Sequence, residues 1–317
     1  MNIITVTLSP ATDIYLTTDS LRLYRENRLS AVGRYCGGKG INISIALASC
    51  DIKSTAVVVM PRESAEEYKR ALTSENIDYL PFLTSGSVRE NVTIHSKDNG
   101  KERETRISID ASPIDRGVIK SVIERLTSLC SSPSIVVISG SLPEGVDMDE
   151  LLPFFDFAKK QGVMLILDSR SYTLSDISRV KPCLIKPNAE ECEGYLGFEP
   201  RSVADGIRAV KLLREKTGAN VLLSLGEDGA VLLYGDGIYE AKAPRIEAIS
   251  TIGAGDSMIA GFTYAMSEGL PPYECLKYAL AYGSAKCLKE GTLPPRKADI
   301  KRLYNKINIK KSEDLLK

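Results

Sequence analysis

The sequence predicts an α/β fold, with a mostly parallel central sheet covered by helices on both faces and a small β-sheet lid projecting from it. Three observations predict this. Short β-branched runs with no polar face alternate with longer amphipathic stretches, as in sheets buried on both sides. Two regions break that alternation with strands of alternating polarity, the pattern of a sheet half open to water. Glycine clusters stand where strands give way to helices, and ligands of such sheets sit beyond the carboxyl ends of the strands.

In chain order, the apolar runs predict core strands at 3–8, 55–60, 135–139, 164–168, 184–186, 221–224 and 230–234. Helical periodicity predicts helices at 41–48, 65–73, 116–129, 149–160, 189–195, 203–216, 255–267, 273–289 and 298–307. The lid strands are expected at 13–16 with 28–34, and at 91–96 with 105–109. Lys97-Asp98-Asn99-Gly100-Lys101 between the second pair is a hairpin signal. No linker rich in Pro, Gly or Ser divides the chain, so 1–317 reads as a single domain with the lid inserted at about 13–34 and 89–109.

Acidic and basic residues balance at 41 each, so no net field recruits nucleic acid or an anionic membrane. Seven cysteines include no CxxC pair and are odd in number, which fits a reduced, cytoplasmic protein. The N-terminus opens into a strand rather than a signal peptide, and no apolar run approaches the ~18 residues a membrane span needs. Lys310, Lys311 and Lys317 read as a frayed tail.

The chemistry centres on Thr251-Ile252-Gly253-Ala254-Gly255-Asp256-Ser257. A glycine turn feeding a helix start gathers unpaired N–H groups into an anion pocket, and Asp256 puts a carboxylate at its mouth. That combination suits phosphoryl transfer, although a glycine turn with an N-capping Asp also fits. Gly37-Gly38-Lys39-Gly40-Ile41-Asn42 is a second such cluster; it is not a Walker loop and reads equally as a plain turn. Asp13 follows the first strand, where a carboxylate can meet sugar hydroxyls or simply close a turn. Arg89 precedes a lid strand, where a guanidinium can hold a phosphate or serve as a surface charge. Asn188 and Glu191 share a helix face, suited to hydrated Mg²⁺ or to a capping box. Ser224-Leu225-Gly226-Glu227-Asp228-Gly229 offers backbone to a nucleotide or forms a hairpin turn, and Ser139-Gly140 ends a strand on the substrate side. His95, the only histidine, reads as structural, and no Ser/His/Asp triad or zinc spacing is present.

Together these motifs, in order and spacing, resemble the ribokinase-like (phosphofructokinase-B) carbohydrate kinase family from Ile3 to about Ile307. Within it, Thr7-Leu8-Ser9-Pro10-Ala11 with Asp13, Lys39, and Ser139-Gly140-Ser141-Leu142-Pro143 look most like 1-phosphofructokinase and tagatose-6-phosphate kinase. The resemblance implies a three-layer α/β/α sandwich. It implies Asp256 as catalytic base, with Gly253, Ala254 and Gly255 as the anion hole. Asp13, Gly38, Lys39 and Asn42 would bind the sugar phosphate, with Arg89, Arg28 and Ser139 on its phosphate. Lys186, Asn188, Ser224, Gly226, Gly229 and Ser284 would contact ATP, and Glu191 would organise Mg²⁺. Ser250, where the family commonly has Asn, and Asp110-Ala111-Ser112-Pro113, where relatives often carry Pro-Gly-Pro, depart from the pattern.

The implied reaction is ATP-dependent phosphorylation of a ketohexose phosphate, with fructose 1-phosphate leading and tagatose 6-phosphate or fructose 6-phosphate as alternatives. An unphosphorylated acceptor leaves Lys39 and Arg89 without a purpose. A non-catalytic sugar-phosphate sensor should have lost its base, and Asp256 is present. The open face of the lid implies a homodimer through it.

Overall fold

The computed structural model describes residues 1–98, 100–130 and 133–312. The chain opens with β1 (Asn2–Thr7), followed by β2 (Ala11–Thr17), β3 (Ser30–Gly37) and α1 (Lys39–Ala48). β4 (Thr55–Pro61), α2 (Ala65–Ser74) and β5 (Asp78–Thr84) come next, then the hairpin β6 (Arg89–Asp98) and β7 (Lys101–Ile109). α3 (Arg116–Leu129), β8 (Ser134–Ser139), a 3₁₀ turn (Met148–Leu151), α4 (Leu152–Gln161) and β9 (Met164–Asp168) continue the alternation. α5 (Leu174–Val180), β10 (Leu184–Ile185), α6 (Ala189–Leu196), α7 (Val203–Thr217) and β11 (Asn220–Ser224) follow. The last elements are β12 (Ala230–Tyr234), β13 (Gly237–Ala241), α8 (Ala254–Ser267), α9 (Pro272–Lys286), α10 (Lys297–Tyr304) and β14 (Lys310–Lys311).

Among the described residues the central sheet has the order β14-β13-β12-β11-β10-β9-β8-β1-β4-β5. It is parallel from β5 through β11 and antiparallel from β11 to β14. Successive side chains of a strand point to opposite faces, and the core divides accordingly. Val136 and Ile138 of β8 join a cluster with Val122, Phe154 and Leu213 of α3, α4 and α7. Ile135 and Val137 join another with Leu47, Phe262 and Leu280 of α1, α8 and α9. The result is three layers, helix on sheet on helix, and the carboxyl ends of β1, β8, β9 and β10 share one rim.

The small sheet has the order β3-β2-β6-β7, with both antiparallel pairs joined by parallel pairing of β2 with β6. Asn99 of the β6–β7 turn lies outside the described residues. The ring of His95 stacks on Tyr15, which gives that histidine a packing role.

Several elements differ from the sequence expectation. The 149–160 stretch begins as a 3₁₀ turn, and α4 proper starts with Pro153 in its first turn, where its missing N–H leaves no bond unmade. α9 stops at Lys286 rather than at residue 289. β5 was not expected because Pro81 interrupts it; as an edge strand it tolerates the lost donor. α5 and β14 are too short to carry a clear period, and Gly237 and Glu240 break up the apolar run of β13. Lys310 and Lys311, expected to fray, pair with Glu240 and Tyr239 of β13, while Lys317 lies outside the described residues. All seven cysteines are free. Among the described residues no helix is long and apolar enough to cross a membrane.

Candidate active site

The site is assembled where α8 begins. Gly253 caps the helix in the left-handed region (φ 75°), which a side chain would strain, and Ala254 N donates back to Thr251 O at 3.2 Å to close the turn. Asp256 occupies the first turn and is buried, 7% exposed. Asn42 of α1 donates from Nδ2 to its Oδ2 at 2.8 Å. Burial pushes the Asp256 carboxyl up to about 6; Asp168 adds to the rise, and Lys39, Asn42 and Lys186 oppose it. A carboxylate so poised takes a proton near neutral pH, which a general base requires. α1 reaches Asp256 because its Gly40 lies against β1: a Cβ there would stand 2.7 Å from the Val6 carbonyl oxygen.

A residue that sequence reasoning missed holds the middle of the site. Asp168 ends β9, is 1% exposed, and accepts at Oδ2 from Lys39 Nζ (3.1 Å) and Ser139 Oγ (2.9 Å). Its Oδ1 lies 3.3 Å from Lys186 Nζ. Burial alone would raise its pKa; Lys186 and then Lys39 outweigh that, and Ser139 assists, so the carboxyl stays ionised below its ordinary value. The signal that could have found it is an acid closing a buried parallel strand, on the rim where ligands bind. Lys39 is bound by the same pairing: burial works against its charge, but Asp168, Asp256 and Glu191 together raise its pKa. Ser139, expected at the sugar's phosphate, spends its hydroxyl on Asp168.

On the small-sheet side, Asp13 of β2 accepts from Asn91 Nδ2 at 2.9 Å. Burial raises its pKa, against the Asn91 hydrogen bond and the nearby Arg89 charge. A Cβ on Gly37 would lie 2.8 Å from Asp13 Oδ2 and 3.6 Å from Asn42 Oδ1, which brings Asp13 alongside the Asn42–Asp256 pair. Asn91 is thus a further site residue that its strand pattern concealed. Arg89, whose charge lies near Asp13, has a buried Nε with no hydrogen-bond partner. Gly38 lies between β3 and α1, packed on Thr7. Arg28 stands apart: its side chain is 94% exposed and only 3.9 Å-paired with Glu26.

On the other side, Lys186 follows β10, is 6% exposed, and reaches α8, its Nζ lying 3.2 Å from where a Cβ on Gly255 would be. Asn188 caps α6 through a reciprocal box: its Oδ1 accepts from Glu191 N at 2.7 Å, and Glu191 Oε2 accepts from Asn188 N at 3.0 Å. Glu191 also takes Arg170 Nε at 3.0 Å. The alternative of a capping box is therefore what the fold adopts, and it leaves the Glu191 charge within reach of Lys39. Ser224 bridges to Asn188, and Gly226 and Gly229 close the β11–β12 hairpin, with Leu225 N donating to Gly229 O at 2.9 Å. Ser284 is buried on α9, next to Gly283, which packs against the Ala254 carbonyl. A cavity of about 540 Å³ opens beside Glu191, lined by Arg170, Tyr172, Glu190 and Tyr195. It does not include Asp256.

The arrangement is a buried carboxylate in a glycine turn, flanked by the cations Lys39 and Lys186 and by the ionised Asp168. The chain belongs to the pfkB family of carbohydrate kinases, whose model matches residues 5–299. It is 31% identical over 288 residues to the 1-phosphofructokinase of Bacillus subtilis (strain 168), covering 91% of this chain and 93% of that one. It is 28% identical over 296 residues to the tagatose-6-phosphate kinase of Staphylococcus epidermidis (strain ATCC 35984), covering 92% and 93%. Its ribokinase-like fold matches phosphofructokinase-2 from Escherichia coli, solved in complex with substrates and products, with TM-score 0.86 and 28% identity over 96% of this chain and 99% of that one.

Proposed function

We propose that this carbohydrate kinase transfers the γ-phosphoryl group of ATP to a ketohexose phosphate, fructose 1-phosphate at its 6-hydroxyl, giving fructose 1,6-bisphosphate and ADP. The observation that carries the reading is Asp256, buried in the first turn of α8 and held by Asn42. In this reading the 6-hydroxyl oxygen bonds to the γ-phosphorus, the bond to the β–γ bridging oxygen breaks, and the hydroxyl proton passes to Asp256. The N–H groups of Gly253, Ala254 and Gly255 receive the charge on the transferring oxygens, as preorganised donors do best. Asp13 and Asn42 orient the sugar. Arg89, with its unpaired buried nitrogen, and Lys39 receive the phosphate already on it, while Arg28 lies too open to share that task without a covering partner. Lys186, Asn188, Ser224, Gly226, Gly229 and Ser284 line the ATP side.

Mg²⁺ fits this donor set. Among the described residues no cluster of three acidic, histidine or cysteine side chains exists to cage a metal. Mg²⁺ with a nucleotide needs none, since it is held by phosphate oxygens, waters and one or two carboxylates. Glu191, its charge facing Lys39, would hold the waters, and the ion would neutralise phosphate charge. A homodimer through the small sheet is supported by Val32, Ile107 and Ile109, which stand 59%, 49% and 51% exposed there.

The test is ADP release from purified protein with fructose 1-phosphate, tagatose 6-phosphate, fructose 6-phosphate and the free sugars. Fastest turnover per unit KM on fructose 1-phosphate is expected. Preference for another sugar phosphate replaces the substrate, and activity on free sugars alone overturns the roles of Lys39 and Arg89.

A further inference from the structure

One buried charge beside the anion pocket has no part in the chemistry above. Lys286, the last residue of α9, is 1% exposed. Its ammonium turns inward and donates to the main-chain oxygens of Gly291 at 2.8 Å and Lys289 at 3.5 Å. Its Cε lies 3.5 Å from where a Cβ on Gly253 would stand, so the side chain backs the turn that forms the pocket. Burial lowers its pKa to about 8, against the pull of Cys287 and Asp256, which leaves it cationic at neutral pH.

The segment it clasps is fastened at both ends. Cys287 O accepts from Ile249 N (2.7 Å) and Ser250 N (3.3 Å), just ahead of Gly253. Gly291, at φ 46°, packs against Tyr15 of β2, whose Cζ would lie 2.9 Å from an added Cβ. The ammonium therefore sits where the small sheet, the 287–291 turn and the start of α8 meet.

We propose that Lys286 is a positioning residue that serves as an internal monovalent cation: clasped by the Lys289 and Gly291 carbonyls, it fixes the backing of the Gly253–Asp256 turn and adds a positive charge behind it. A buried ammonium costs desolvation unless carbonyl oxygens replace its water, and here they do. Its field acts on any anion in the pocket through a dry interior, where charges are weakly screened. The inference rests on the kinase reading, because it assigns the charge a role in receiving the phosphoryl group.

Lys286→Ala and Lys286→Gln test it, assayed for kcat, for KM of both substrates and for thermal melting. Assays of Lys286→Ala are repeated with methylammonium chloride and with tetramethylammonium chloride at equal ionic strength. The expected result is a fall in kcat of roughly 10²-fold in both variants, as for loss of one anion-hole donor, with KM little changed. Methylammonium, small enough to occupy the vacated space, should restore kcat about tenfold in Lys286→Ala, and tetramethylammonium should not. Unchanged kcat, a loss carried by KM alone, no difference between the two amines, or unfolding of both variants overturns the proposal. Wild-type protein with no phosphoryl transfer on any sugar of the panel instead overturns the kinase reading.

Discussion

The two sheets face water differently. All six residues of β8 in the central sheet are buried, whereas along β7 of the small sheet only Thr105 is even partly covered. The central sheet has helices on both faces and carries the Asp168, Lys186 and Ser139 constellation on its rim. The small sheet, with one face open to water, carries Asp13, Asn91 and Arg89. The division is one of labour. In the proposed reading the covered sheet would hold the phosphoryl-transfer chemistry, and the open sheet would bring the acceptor's contacts to it.

The largest effect that would sharpen this contrast is loss of the base. Asp256→Asn should lower kcat by about 10³-fold while ATP affinity by calorimetry is kept, since general-base contributions run near 10²–10⁴. Parallel loss of binding would make Asp256 structural and break the division. Next in size is packing. Phe154→Ala in α4, fully buried, should cost about 3–5 kcal/mol in urea unfolding, and Ile107→Ala on the small sheet, 49% exposed, about 0.5 kcal/mol or less. Equal costs would show the small sheet to be as much a part of the core as the large one.

The Asp256 carboxyl gives a pH-dependent test. Its pKa is raised to about 6 in the folded chain, so between that value and the ordinary 3.8 the folded state binds a proton that the unfolded state does not. Its contribution to stability is therefore full below pH ~4 and lost as pH rises through ~6. Asp256→Asn should gain about 3 kcal/mol over wild type at pH 8 and nothing near pH 4, read from urea midpoints. In the same window, wild-type kcat should fall as the pH drops below ~6, because the base becomes protonated. The smallest effect on chemistry is expected from the open face. Ile107→Lys with Ile109→Lys should halve the mass seen by light scattering while changing kcat about threefold or less; an unchanged mass would place any partner copy elsewhere.

The covered sheet was legible in the sequence because burial on both faces writes itself as uninterrupted apolar runs, and those at 135–139 and 164–168 needed little else. The glycine turn at Gly253 and the helix it opens were legible from the glycines and the apolar period after them. What escaped depends on which strands become neighbours. Asp168 matters because β9 lies between β8 and β10, which brings Ser139 and Lys186 to it, and because Lys39 comes from 129 positions away. Nothing local to residue 168 records that meeting. Pro81 hid β5, since a residue that forbids a central strand is harmless at an edge. Lys310 and Lys311 hid β14, because charge reads as solvent exposure even where the backbone is paired.

The 2.8 Å bond from Asn42 to Asp256 ties positions 214 residues apart. During translation the helix bearing Asn42 is made early, yet the acid it steadies emerges only when about four-fifths of the chain has left the ribosome, at the ~5–20 residues per second of synthesis. Nascent fragments thus carry Asn42 for about ten seconds or more before its partner is made. On the proposed reading, the reaction centre would be completed only when α8 docks.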